Sequence, residues 1–134
     1  MPYVYAAVDE LLEKPLLGDG QCIQIVKMIV PGLIGISTQS WKQGEAVKDV
    51  ANLRQGTAIA TFGPDGKFPI GNTGQHAALF LKHAGAGFWV MDQWRTQGMI
   101  RRRHIGIPRE HEQRTDGTWP NASNNAHAFS VIER

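Results

Sequence analysis

Three residues that together could cleave an acyl bond occur in one order along the chain, Cys22, His76 and Asp92, spaced 54 and 16 positions apart. A thiolate attacks carbonyl carbon well, an imidazole can take the thiol proton, and a carboxylate can fix the imidazole tautomer. Cys22 is the single cysteine, so no internal disulfide or multi-cysteine zinc site can form. It is either a packed apolar residue, the commoner fate of a lone cysteine, or a reactive thiol.

Its local setting favours reactivity. Gly18, Asp19 and Gly20 read as a turn, with Asp19 as N-cap of a helix running from Gln21 to about Val30, where Pro31 ends it. Cys22 then falls in the first helical turn, where unpaired N–H groups and the helix dipole favour a thiolate and could hold an oxyanion. Among the five histidines, His76 stands at the start of an apolar strand after the polar turn Gly71-Asn72-Thr73-Gly74-Gln75, so its ring can reach a cleft at the sheet's end. His83 falls in the next turn, His111 in a polar loop, and His104 and His127 in strands.

The segments QHAALFLK and GFWVMDQW form an expected hairpin. A turn centred on Ala84 pairs Lys82 with Ala86, Phe80 with Phe88, Ala78 with Val90 and His76 with Asp92. Directly opposed residues share a face with Cβ atoms ~5 Å apart, close enough for a carboxylate to orient an imidazole. Without Cys22 the same pair would read equally well as a strand-end ion pair.

The elements that must position these residues are helices first and strands afterwards. Val8–Lys14 has helical spacing and Glu45–Val50 suits a second short helix. From Thr57 onward TAIATF, QHAALFLK, GFWVMDQW, IRRRHIGI and AHAFSVIE read as strands, giving a segregated α+β class with the nucleophile helix packed on an antiparallel sheet. Arg109 to Asn125 reads as a long surface loop. The length of 134 residues suits one domain spanning residues 1–134.

Composition narrows the function further. Fourteen Lys and Arg against twelve Asp and Glu leave a net charge of +2, no general field for nucleic acid. Arg101, Arg102 and Arg103 fit a solvated edge strand better than an anion site. Polar residues and Gly or Pro interrupt the longest apolar stretch, Ile23 to Ile36, so membrane insertion is not expected, nor is a secretion signal at the start of the sequence. His111-Glu112 lacks the second histidine of a zinc-protease helix, so neither a metal nor another cofactor is expected.

The segments GDGQC, GQHAALFL and VMDQW resemble the papain-like cysteine, histidine-dependent amidohydrolases. With Trp41-x-x-Gly44, GTAIATF and AHAFSVIE, the chain is similar over nearly its whole length to the type VI secretion amidase effectors. The resemblance implies a papain-like fold, Cys22 as nucleophile, His76 as base and Asp92 as third catalytic residue. It implies a peptidoglycan peptide as substrate, an immunity protein as possible partner, and action in the periplasm of target bacteria after export. Gln21, beside Cys22, and Gln93 are candidate oxyanion or substrate supports. Trp94, two residues past Asp92 on the same face, could shield the ion pair, and Trp41 could line the groove, though packing is the commoner role for both. A non-catalytic binding module on the same scaffold, or another acyl transfer at the same triad such as deamidation or transglutamination, stays open at this level.

Overall fold

The computed structural model describes residues 2–71 and 74–134; Asn72 and Thr73, in the polar turn expected before His76, lie outside the described residues. Among these, six strands form one sheet: β1 (Lys42–Ala46), β2 (Ala58–Thr61), β3 (Ala77–Ala84), β4 (Gly87–Asp92), β5 (Arg101–Ile105) and β6 (Phe129–Glu133). Their spatial order is β1-β6-β2-β3-β4-β5, and every neighbouring pair is antiparallel. The α+β class expected from the sequence is thus an antiparallel sheet with very little helix.

Both faces of the sheet are buried, and strand alternation divides the core between them. Ala58, Ala60, Ala77, Leu79 and Met91 pack with Ile25, Val26, Val30 and Leu33 of the N-terminal half. Ile59, Ala78, Phe80, Phe88 and Val90 pack with Val47, Ala126 and Phe129 on the opposite face. Small alanines in β2 and β3 let the covering segments approach closely, while the phenylalanines fill the second layer.

Three helical expectations are corrected. Only Gln24–Lys27 is α-helical (α1), not Gln21 to Val30, so Cys22 lies in the turn just before the helix. The bonds from Gln24 N–H to Gln21 O and from Val26 N–H to Ile23 O span three residues and draw this entry into tight turns. Asp19 does not cap it; its carboxylate accepts from Gln21 N–H at 3.0 Å within the preceding turn. Val8–Leu11 is a single 3₁₀ turn, ended by Glu13 at φ +63° rather than by Pro15, because residues 13 and 14 bond the backbone of Ile100. The expected helix Glu45–Val50 is the end of β1 followed by a 3₁₀ turn, Val47–Asp49. Pairing with the edge of β6 outweighs helix propensity there, and a Cβ on Gly44 would meet Val131 O at 2.8 Å.

The hairpin register also differs. Gly85, at φ +62°, and Ala86 make a two-residue turn, so Ala84 pairs with Gly87 and His83 belongs to β3. A bulge between Phe80 and Lys82 then shifts the register, so that Phe80 meets Val90 and Leu79 meets Met91. Beyond the bulge the pairing lies two positions from the expected one, an even offset that keeps every side chain on its expected face. His76 and Asp92 are therefore diagonal neighbours rather than directly opposed.

Candidate active site

His76 precedes β3 and Asp92 ends β4, and the imidazole Nε2–H donates to Asp92 Oδ2 at 2.8 Å. Both side chains are nearly solvent-free. The backbone of His76 is anchored by Thr61, whose Oγ1 accepts from His76 N–H at 3.0 Å and donates to Gly74 O at 2.8 Å. Phe129 meets the imidazole edge-on at 6.2 Å between ring centroids, and Trp94 does so at 6.3 Å. Trp94, itself half-buried, lies against the imidazole.

Asp92 is held from a second side. Arg103 Nε donates to the same Oδ2 at 2.9 Å, while Nη1 donates to Asn124 Oδ1 at 2.7 Å and Nη2 to Ser123 O at 3.1 Å. Its guanidinium also lies 5.3 Å from the Trp94 ring centroid, within cation–π range. The expectation of a wholly solvated arginine strand is corrected at this position: Arg101 and Arg102 are exposed on edge strand β5, but Arg103 turns inward. Asn124 and Ser123 come from the segment read as a surface loop, of which Pro120, Ala122 and Asn125 are buried. Sequence reasoning did not single out Arg103, Asn124 and Ser123 as partners of Asp92, and strand parity does not separate Arg103 from the exposed Arg101.

Gln93, one residue past β4, points to the opposite face from Asp92. Its Oε1 accepts from Leu17 N–H at 2.8 Å, and its Nε2 donates to Leu17 O at 3.0 Å and to Gln21 O at 2.8 Å. Both amide protons are consumed, so the expected role of Gln93 as an oxyanion or substrate donor is corrected: it ties the segment bearing Cys22 to the end of β4. Adjacent residues thus hold the two halves of the site, Asp92 the histidine and Gln93 the cysteine's segment, because consecutive side chains on extended backbone point to opposite faces.

Cys22 is half-buried and shares with His76 a cavity of about 540 Å³, also lined by Gln21, Gln75, Trp94, Arg95, Thr96, Arg103, Ser123 and Asn124. Gln21 is exposed at this rim. Trp41 is not part of it: the indole is fully buried in the core, 5.1 Å edge-on from Phe68, and its expected place in the groove is corrected. Burial disfavours the charged form of His76, yet hydrogen bonding to Asp92 and to the Cys22 thiol, with the charges of both, holds its pKa above the usual 6.5. His104 is tied to Ala84 O at 3.0 Å, His83 to Val50 O at 2.8 Å, and His111 stacks on His127 at 5.3 Å. None of these four lines the cavity of Cys22.

Comparison with known proteins agrees with this architecture. Residues 12–132 match the family model described as domesticated amidase effector 2. The chain is 37% identical to a type VI secretion amidase effector 2 protein of Salmonella typhi, covering 99% of this chain and 100% of that protein. It is 36% identical to domesticated amidase effector 2 of Ixodes scapularis over 62% of this chain and 56% of that one. A solved type 6 secretion amidase effector 2 superposes with a TM-score of 0.87 at 36% identity, covering 98% of this chain and 94% of that one. The chain belongs to the domesticated amidase effector 2 family, close to the type VI secretion amidase effectors.

Proposed function

We propose that this protein is a papain-like cysteine amidase that hydrolyses an amide bond in the stem or crosslink peptide of peptidoglycan, acting as an antibacterial effector. The observation that carries the reading is the convergence of Cys22 and His76 on one cavity, with Asp92 bonded behind the imidazole. Nε2–H is engaged by Asp92, which leaves Nδ1 to exchange a proton with the thiol. The raised pKa of His76 favours its imidazolium form, the form that must protonate the departing amine.

The thiolate attacks the amide carbonyl carbon, and the resulting oxyanion is assigned to the backbone N–H of Cys22, which has no partner among the described residues. A four-residue helix supplies little dipole, so the histidine carries the activation of the thiol. Imidazolium returns its proton to the departing amine, leaving a thioester. Water, deprotonated by His76, cleaves the thioester to a carboxylate and restores the thiol. Delivery into a neighbouring cell's periplasm and neutralisation by an immunity protein belong to the same reading, supported by the amidase-effector relatives.

Purified peptidoglycan digested with wild-type and Cys22→Ala protein, followed by mass spectrometry of the muropeptides, tests this directly. Wild type should release new peptide ends, and Cys22→Ala should release none while keeping its fold. Equal release by the two proteins would falsify the cysteine mechanism, and products heavier by one deamidation without chain cleavage would redirect it to deamidation.

A further inference from the structure

The catalytic cavity does not end at its own rim. A second cavity of about 680 Å³ shares Gln75 and Ser123 with it and continues past them between Pro64 on one side and Arg114 and Trp119 on the other. Among the described residues, the charged side chains lining the two are Arg95, Arg103, Arg114 and, when protonated, His76, and no Asp or Glu lines either. The chain's net charge of +2 is too small to make a cationic groove the default.

The three arginines are not equivalent. Arg103 is spent on Asp92 and the 123–124 backbone and side chain. Arg95 leans on Asp19, donating to its backbone oxygen at 2.9 Å with the carboxylate at 3.8 Å. Arg114 donates through Nη1 to Thr118 Oγ1 at 3.2 Å and has no ion-pair partner among the described residues. Asp116 in the same turn feels its charge, but spends Oδ1 on the N–H and hydroxyl of Thr118. The backbone of Arg114 is pinned at both ends, its N–H donating to Thr118 O at 2.8 Å and its carbonyl accepting from Gly117 N–H at 2.9 Å. Gly117, at φ +87°, packs so closely on Pro64 that a Cβ there would sit 2.8 Å from it, which holds the turn against the far wall.

We infer that the two cavities form one extended peptide cleft in which Arg114 binds a carboxylate of the substrate at a distance from the scissile amide, selecting acidic peptides over neutral ones. The inference rests on the amidase reading for the identity of the peptide. A guanidinium with free N–H groups matches a carboxylate in a way a carboxamide cannot, since the amide offers one acceptor and no charge. Trp119 beside it supplies apolar contact for the intervening chain.

The test uses Cys22→Ala protein, which separates binding from turnover, and a synthetic stem peptide made with its carboxylates free and with all of them as carboxamides. Titration calorimetry should show the free acid binding about fivefold more tightly, the size of an exposed ion pair, with the preference shrinking as salt is raised. Adding Arg114→Gln should remove the preference while Arg114→Lys retains part of it. Equal affinities in the Cys22→Ala protein, a preference that survives Arg114→Gln, or binding of neither peptide overturns the proposal. A wild-type protein that binds the acid selectively but cleaves no peptidoglycan sinks the amidase reading and leaves the anionic subsite standing.

Discussion

Replacing Gln93 by Ala removes three hydrogen bonds of 2.8, 3.0 and 2.8 Å that join the end of β4 to Leu17 and Gln21. At a net 0.5–1.5 kcal/mol each, the loss is about 2–4 kcal/mol, trimmed toward the lower figure if water reaches the freed backbone groups. A domain of this size is stable by roughly 5–15 kcal/mol, so the variant stays folded, with Tm lower by about 10 °C. Because Gln21 adjoins Cys22, the released segment should also misplace the thiol, and an error of about 1 Å can cost on the order of a hundredfold in rate. Gln93→Glu should be worse than Ala at neutral pH, because it sets a buried carboxylate against two carbonyl oxygens. Urea unfolding gives the stability, and alkylation of Cys22 by iodoacetamide together with peptidoglycan turnover gives the geometry. If Gln93→Ala costs under about 0.5 kcal/mol and leaves both alkylation and turnover unchanged, the clamp does not position the cysteine.

Arg103→Met should destabilise by about 3 kcal/mol, the low end for breaking a buried ion pair because Asp92 keeps His76, and much less in an Asp92→Asn background; strictly additive losses in the double-mutant cycle would refute the coupling. The two shifted histidines should tilt stability in opposite directions. His76 is held above 6.5 by its partners against the cost of burial, so its contribution is full below 6.5 and fades as pH rises through the raised value; His76→Gln should flatten that alkaline decline in urea midpoints. Burial, then Lys48 and His111, depress His127, so its contribution is present above 6.5 and is lost as pH falls through the lowered value; His127→Gln should flatten the acid decline, and an unchanged profile would count against the packing of this stack.

Sequence alone determined which residues could meet. Alternation in QHAALFLK and GFWVMDQW put His76 and Asp92 on one face whichever even register the hairpin adopted, and period-two patterning is a local property that survives folding. It also marked the glycine-rich turn before Cys22. Tertiary structure decided what no window of sequence contains. The bulge at residues 80–82 and the two-residue turn replaced direct opposition with a diagonal contact, since register depends on how the whole sheet closes. Helical spacing at 21–30 and 45–50 gave way to tight turns and to β1, because local propensities of tenths of a kcal/mol lose to burial and strand pairing. The partners of the pair and of the cysteine's segment, Arg103 with Asn124 and Gln93 with Leu17 and Gln21, lie 21, 76 and 72 positions apart in sequence, invisible until the chain is folded.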